Sequence, residues 1–149
     1  MDELKIKYKN LESALKSLGK AFNNLEKLES KKDSPSLFLE YNELYKSLRD
    51  SLIQRFEFSV DLFWKYLKKY LEKRGVPTLE VSSPKPTLKS ACKATLLTEQ
   101  DTDVALKMID SRNLTSHMYK EEFAEMLLHQ IPSYYQIMKK YSEKLYPDK

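Results

Sequence analysis

Leu4, Tyr8, Leu11, Leu15, Leu18, Phe22, Leu25 and Leu28 recur at spacings of three and four, and this period constrains the fold more than any other feature. Side chains so spaced share one face of an α-helix, which predicts an amphipathic helix from about residue 3 to 30. Lys5, Lys7, Lys9, Glu12, Lys16, Lys20, Glu26 and Lys27 occupy the other faces and belong in solvent. Aromatic residues interrupt the stripe, which lasts only about four heptads. Packing within a bundle therefore fits better than an extended coiled coil.

The same period continues along the chain. Ser34 and Pro35 form a helix-start signal before a longer helix predicted over 36 to 73, with apolar positions from Phe38, Tyr41 and Leu44 to Leu67 and Leu71. Its centre, from Arg55 to Lys65, is apolar on more than one face, as expected of a helix buried on several sides or contacting a second subunit. Gly75 and Pro77 stop it, and residues 75 to 86 read as a loop. Ser83-Pro84 opens a short helix to about Leu96, and Thr98-Glu99-Gln100-Asp101 caps another running to about Arg112. A last helix follows from Glu121 to about residue 145, with Pro132 expected to bend it. No alternating strand pattern appears. The expected fold is all-α, an up-and-down antiparallel bundle of about five helices, with residues 1–149 forming a single domain.

Composition narrows the function. The formal net charge of +4 permits an anionic ligand without demanding one. Two glycines, Gly19 and Gly75, could hardly build a Gly-rich phosphate loop. Two histidines and one cysteine give no metal-ligand cluster, so no metal is expected. Cys92 has no partner for a disulfide, which fits a reducing cytoplasm. The N-terminus lacks a signal-peptide core, and the most apolar stretch is broken by Glu57, Asp61, Lys65, Lys68 and Lys69. A soluble, cytoplasmic protein with no membrane partner is expected. The acid pairs Glu121/Glu122 and Asp101/Asp103 read as helix-start charges.

The segment Arg112-Asn113-Leu114-Thr115-Ser116-His117-Met118-Tyr119 carries the chemistry-bearing side chains. Arginine holds phosphate with a planar, permanent charge, and histidine moves protons near neutral pH. On an uninterrupted helix Arg112 and His117 would diverge by about 140°. Asn113, Thr115 and Ser116 are weak helix formers, so a break is expected after Arg112. The two side chains can then meet on a phosphate beside a helix N-terminus. Attack of an RNA 2′-hydroxyl on its own phosphate suits such a pair, with His117 moving the proton and Arg112 stabilising charge on phosphorus. The same residues also suit plain capping: Arg112 on the preceding helix, Asn113 in the turn and His117 as a polar cap. His129 reads as structural.

Three blocks resemble a known family. They are Arg55 to Leu71, Ser83 to Ala91 and Met108 to Tyr119, the last holding an Arg-x4-His-x-Tyr motif. In order and spacing they resemble the nucleotidyltransferase substrate-binding proteins, a branch of the HEPN (higher eukaryote and prokaryote nucleotide-binding) superfamily. The resemblance implies a helical bundle that forms a homodimer and partners a minimal nucleotidyltransferase. It also implies a toxin–antitoxin-like pair in which the helical protein is a metal-independent ribonuclease. In that role Arg112 and His117 are the catalytic pair, Asn113 is their polar supporter and Tyr119 is the residue adenylylated by the partner. No resident cofactor is implied; a nucleotide such as ATP is a ligand of the complex. The older family reading is a non-catalytic subunit that completes the nucleotidyltransferase substrate site. Ala105 departs from the Trp that many members carry there.

Two further features stand beside the motif. Trp64 is a candidate to bind nucleotide with Arg112 and His117, although aromatics at helical spacing commonly serve a core or interface. Lys65, Lys68, Lys69, Lys73 and Arg74 make either a basic stripe for RNA or a solvated helix face.

Overall fold

Among the described residues the chain forms five α-helices: α1 (Glu3–Glu29), α2 (Phe38–Lys73), α3 (Pro84–Lys93), α4 (Glu99–Thr115) and α5 (Glu121–Lys144). A 3-10 turn, Thr78–Val81, precedes α3. The computed structural model describes residues 2–32, 38–115 and 121–147, and the backbone alone at 38 and 39. The predicted helix start at Ser34-Pro35 lies outside the described residues, as does the side chain of Phe38. No strand occurs among the described residues, as the sequence pattern predicts.

Side-chain contacts give the helix directions. Glu3 meets Lys69, Ala14 accepts from Ser59 and Ser17 accepts from Arg55, so α1 and α2 are antiparallel. Tyr45 meets Glu125, Phe56 stacks on Tyr134 and Tyr66 donates to the Leu145 carbonyl, so α2 and α5 run the same way. Asp101 meets Lys140 while Ser111 meets Gln130, which makes α4 antiparallel to α5. The long helices thus alternate up, down, up and down in chain order, and the short α3 links α2 to α4.

The predicted apolar stripes form the core. Leu11 and Leu18 of α1, Phe56, Val60, Phe63 and Leu67 of α2, and Leu127, Ile131 and Met138 of α5 are fully buried. Tyr134 and Tyr141 of α5 are buried too, so these tyrosines serve the core. Leu44 departs from the expectation at 46% exposed. Phe58 is 61% exposed, which accounts for the second apolar face of α2.

Local chemistry sets the helix ends. Asp2 caps α1 by accepting the Leu4 amide at 3.0 Å, and the Thr98 hydroxyl accepts the Asp101 amide at 3.1 Å. Gly75 takes φ +95° after α2, a conformation that glycine adopts without Cβ strain. The expected loop of 75 to 86 contains a 3-10 turn with Val81 buried, and α3 begins at Pro84, as the Ser83-Pro84 signal predicts. Helix α3 ends at Lys93 rather than near Leu96. Thr95 takes φ 61° and the Leu96 amide turns back to the Ala91 carbonyl.

Helix α4 also differs from the expectation. It continues through Arg112, Asn113 and Leu114 to Thr115, whereas the sequence predicts a break after Arg112. Here one local and one tertiary bond outweigh weak propensity: the Thr115 hydroxyl donates to the Arg112 carbonyl at 2.6 Å, and the Arg112 side chain is held by α2. No helix among the described residues is long and apolar enough to cross a membrane.

The α4–α5 contact at Asp101 generates a pH prediction. Lys140 and the Tyr141 hydroxyl both donate to this carboxylate, and they hold it below its ordinary range. A carboxyl whose folded pKa is depressed contributes stability above its unfolded value and loses it as pH falls through the folded one. The melting temperature should therefore stay flat from neutrality to about pH 5 and fall below about pH 4. In Asp101→Asn the acid limb should be shallower, as read by thermal denaturation followed by circular dichroism.

Candidate functional site

Arg112 sits in the last turn of α4 with its guanidinium against α2. Nε and Nη2 donate to the two oxygens of Asp61 at 3.2 and 3.1 Å, a two-point clasp. Nη1 donates to Glu57 at 3.1 Å and to the Thr115 hydroxyl at 3.3 Å. The bond from Asp61 holds the guanidinium more firmly in its charged form, against the opposing effect of burial. Glu57 and Asp61, one turn apart, are what sequence reasoning misses. They read there only as interruptions of an apolar stretch, although acids at i and i+4 share a helix face.

A second arginine lies beyond the same segment. Arg49 of α2 is only 2% exposed, and its Nη1 reaches Glu121 at 2.5 Å and Glu125 at 3.3 Å on the first turns of α5. The Tyr45 hydroxyl also donates to Glu125, at 2.7 Å. Burial, and then that bond, raise the Tyr45 phenol above its usual range. Glu121 is therefore an ion-pair partner as well as a helix-start charge, and Arg49 holds its carboxyl below the usual range. The available signal is an arginine inside the apolar repeat, four residues from Tyr45 and three from Leu52.

Residues 116–120 thus lie between two anchors on α2: Arg112 before them and Glu121 after them. His117 and Tyr119 lie outside the described residues. The flanking helices still answer the question of a continuous helix. Ser111 bonds Gln130 at 3.4 Å and Tyr134 at 3.2 Å. An unbroken helix would hold Ser111 and Gln130 about 28 Å apart along its axis. Helices α4 and α5 are therefore two antiparallel helices and not one continuous helix.

The other predicted residues are more scattered. Asn113 is exposed on α4. Trp64 is half-buried on α2 and lines a hollow of about 330 Å³ with Glu3, Lys7, Lys65, Lys68, Lys69 and Glu72. Arg112 does not line that hollow. Ala105 is fully buried, so the position belongs to the core. His129 is exposed on α5. A larger hollow of about 490 Å³ lies between α1 and α2, lined by Ser13, Ser17, Arg55, Phe58 and Leu62 among others. Arg55 there is already bonded to the Ser17 carbonyl at 2.9 Å. Among the described residues no cluster of three metal-ligating side chains occurs.

Comparison with known proteins adds the following. Residues 6–146 match the family model described as nucleotidyltransferase substrate binding protein like. A crystal structure of a Thermus thermophilus protein is 33% identical, with a TM-score of 0.63; the match covers 87% of this chain and 99% of that one. A tri-AMPylated HEPN toxin of Shewanella oneidensis, solved in complex with an MNT antitoxin, has a TM-score of 0.67 at 16% identity. That match covers 96% of each chain and shows a shared fold. No curated protein sequence matches significantly.

The Arg112 clasp yields a direct test. Asp61→Asn keeps the shape of the acceptor but removes a negative charge that an incoming anion must face. Because the pair is partly exposed, stability should change by less than about 1 kcal/mol. Affinity for inorganic phosphate, measured by calorimetry, should rise about fivefold, matching about 1 kcal/mol of relieved repulsion at 4 Å in water. Unchanged affinity would show that Asp61 does not compete for Arg112.

Proposed function

Because this chain belongs to the nucleotidyltransferase substrate binding protein like family, we propose that it is the helical partner subunit of a minimal nucleotidyltransferase, in a toxin–antitoxin-like pair. In this reading it binds RNA or nucleotide at the segment from Arg112 to Tyr119 and cleaves RNA there without a metal ion. The observation that supports it is the antiparallel pairing of α4 and α5, with the end of α4 and the start of α5 both anchored to α2. In this reading Arg112 and His117 share one phosphate, which a continuous helix, turning them about 140° apart, would not allow.

The step itself is a transesterification. The 2′-oxygen bonds to phosphorus, the bond to the 5′-oxygen breaks, and His117 relays the proton from the attacking to the leaving oxygen. Arg112 stabilises the charge on the phosphoryl oxygens, and Asn113 supports the pair with a polar contact. Tyr119 is the proposed site of control. Its hydroxyl attacks the α-phosphorus of ATP held by the partner, pyrophosphate leaves, and the added adenylyl group blocks the RNA site. The likeness to an AMPylated toxin held by an MNT antitoxin supports this part. The exposed Phe58 beside the α1–α2 hollow supports a homodimer. Residues 1–149 form a single domain in this reading.

One observation favours a second reading, a non-catalytic subunit that completes the nucleotidyltransferase substrate site. Arg112 already faces two carboxylates, so a phosphate has to displace one of them. Cleavage of RNA by the purified chain, compared with His117→Ala, separates the two. The first reading expects a loss of at least about a hundredfold in the variant. Equal cleavage by both proteins would sink it, and no cleavage by either favours the second reading. Co-expression with the partner should add adenylyl mass to the peptide containing Tyr119 and none to that of Tyr119→Phe.

A further inference from the structure

The face of α2 that clasps Arg112 continues past Asp61. Glu57, Asp61, Trp64 and Lys68 follow one another at spacings of four, three and four, so they share one face of the helix. Trp64 and Lys68 stand about 4.5 and 10 Å beyond Asp61 along the axis. Around Trp64 the hollow draws cations from two helices, Lys7 from α1 and Lys65 and Lys68 from α2. Its other charges are committed: Lys69 pairs with Glu3 at 2.8 Å, and Glu72 accepts from the Thr78 hydroxyl at 2.7 Å. Lys7, Lys65 and Lys68 have no ion-pair partner among the described residues.

We propose that this hollow is a subsite for single-stranded RNA, holding nucleotides that flank the one at Arg112. Trp64 stacks a base, and Lys7, Lys65 and Lys68 take successive phosphates. This rests on the reading that RNA engages Arg112. An aromatic face accepts any base, and cations spread over two helices address several phosphates along a strand. A free nucleotide presents its phosphates at one point. The half-buried Trp64 is preorganised by α2, and it lies on the same helix face as the acids that position Arg112. The subsite thus supplies length dependence and phosphate affinity, while the segment at residues 112–119 supplies the chemistry.

Trp64 is the chain's only tryptophan, so its fluorescence reports the hollow directly. The full chain is titrated with an oligouridylate of roughly twelve nucleotides, with a dinucleotide and with ATP. The expected result is saturable quenching by the oligonucleotide, with binding about tenfold tighter than that of the dinucleotide. Lys65→Gln with Lys68→Gln should lower the slope of log affinity against log salt by about 1.4, the share of two phosphate contacts on a single strand. Both lysines project from the surface of α2, and unchanged melting temperatures would verify folding. Absence of quenching at saturation, an unchanged salt slope, or quenching by ATP alone would each overturn the subsite. Failure of the catalytic reading looks different. Quenching and length dependence then persist, while RNA survives equally with wild type and His117→Ala.

Discussion

Every other helix of this bundle rests on α2. Its 36 residues exceed what one buried face would require, and the helix buries Phe56, Val60, Phe63 and Leu67 toward its neighbours. The antiparallel contact with α1 and the parallel contact with α5 both depend on that wide apolar surface. Once α2 is in place, the directions of α1, α4 and α5 follow from the positions they bond along it. Past Phe56 the partly exposed side of α2 carries acids, Glu57 and Asp61, and then lysines, Lys65 and Lys68. The core and the candidate site are thus two sides of one helix.

Charge is used here to fix backbone position. Arg112 and Arg49 do similar work from opposite directions. One reaches from α4 down to Glu57 and Asp61, and the other reaches from α2 to the head of α5. Partly exposed ion pairs add little to global stability. Their geometry, however, restrains both ends of a short connection whose residue types would otherwise leave it free to choose among turns. Arg112 is thereby kept charged and oriented by Asp61 and Glu57.

Much of this is legible in the amino-acid order. The leucine spacing of α1, the stop at Gly75 and the capped start at Thr98 each reflect forces acting within a few residues. The chemistry of residues 112–119 is legible as a pattern of side-chain types. Three things are not. The extension of α4 to Thr115 depends on bonds to Asp61 and Glu57, more than fifty positions away. The role of Arg49 is hidden because an arginine in an apolar repeat looks like an interruption until its acids appear across the helix pair. The early end of α3 depends on Thr95 adopting a positive φ, which favours glycine and which its residue type does not advertise. Local rules reach the elements, and long-range pairing decides their ends.

The two clasps also bear on when the site comes into being. They join residues 51 to 76 positions apart in the chain. Contacts of such long range are made late, after loop closure has been offset by packing elsewhere. A chain emerging N-terminus first exposes α1 and α2 early, presenting Glu57 and Asp61 before Arg112 exists and Arg49 before Glu121 and Glu125. The two clasps are complete only when α4 and α5 have docked. An unfinished or unfolded chain therefore carries the motif residues without the clasps that flank them.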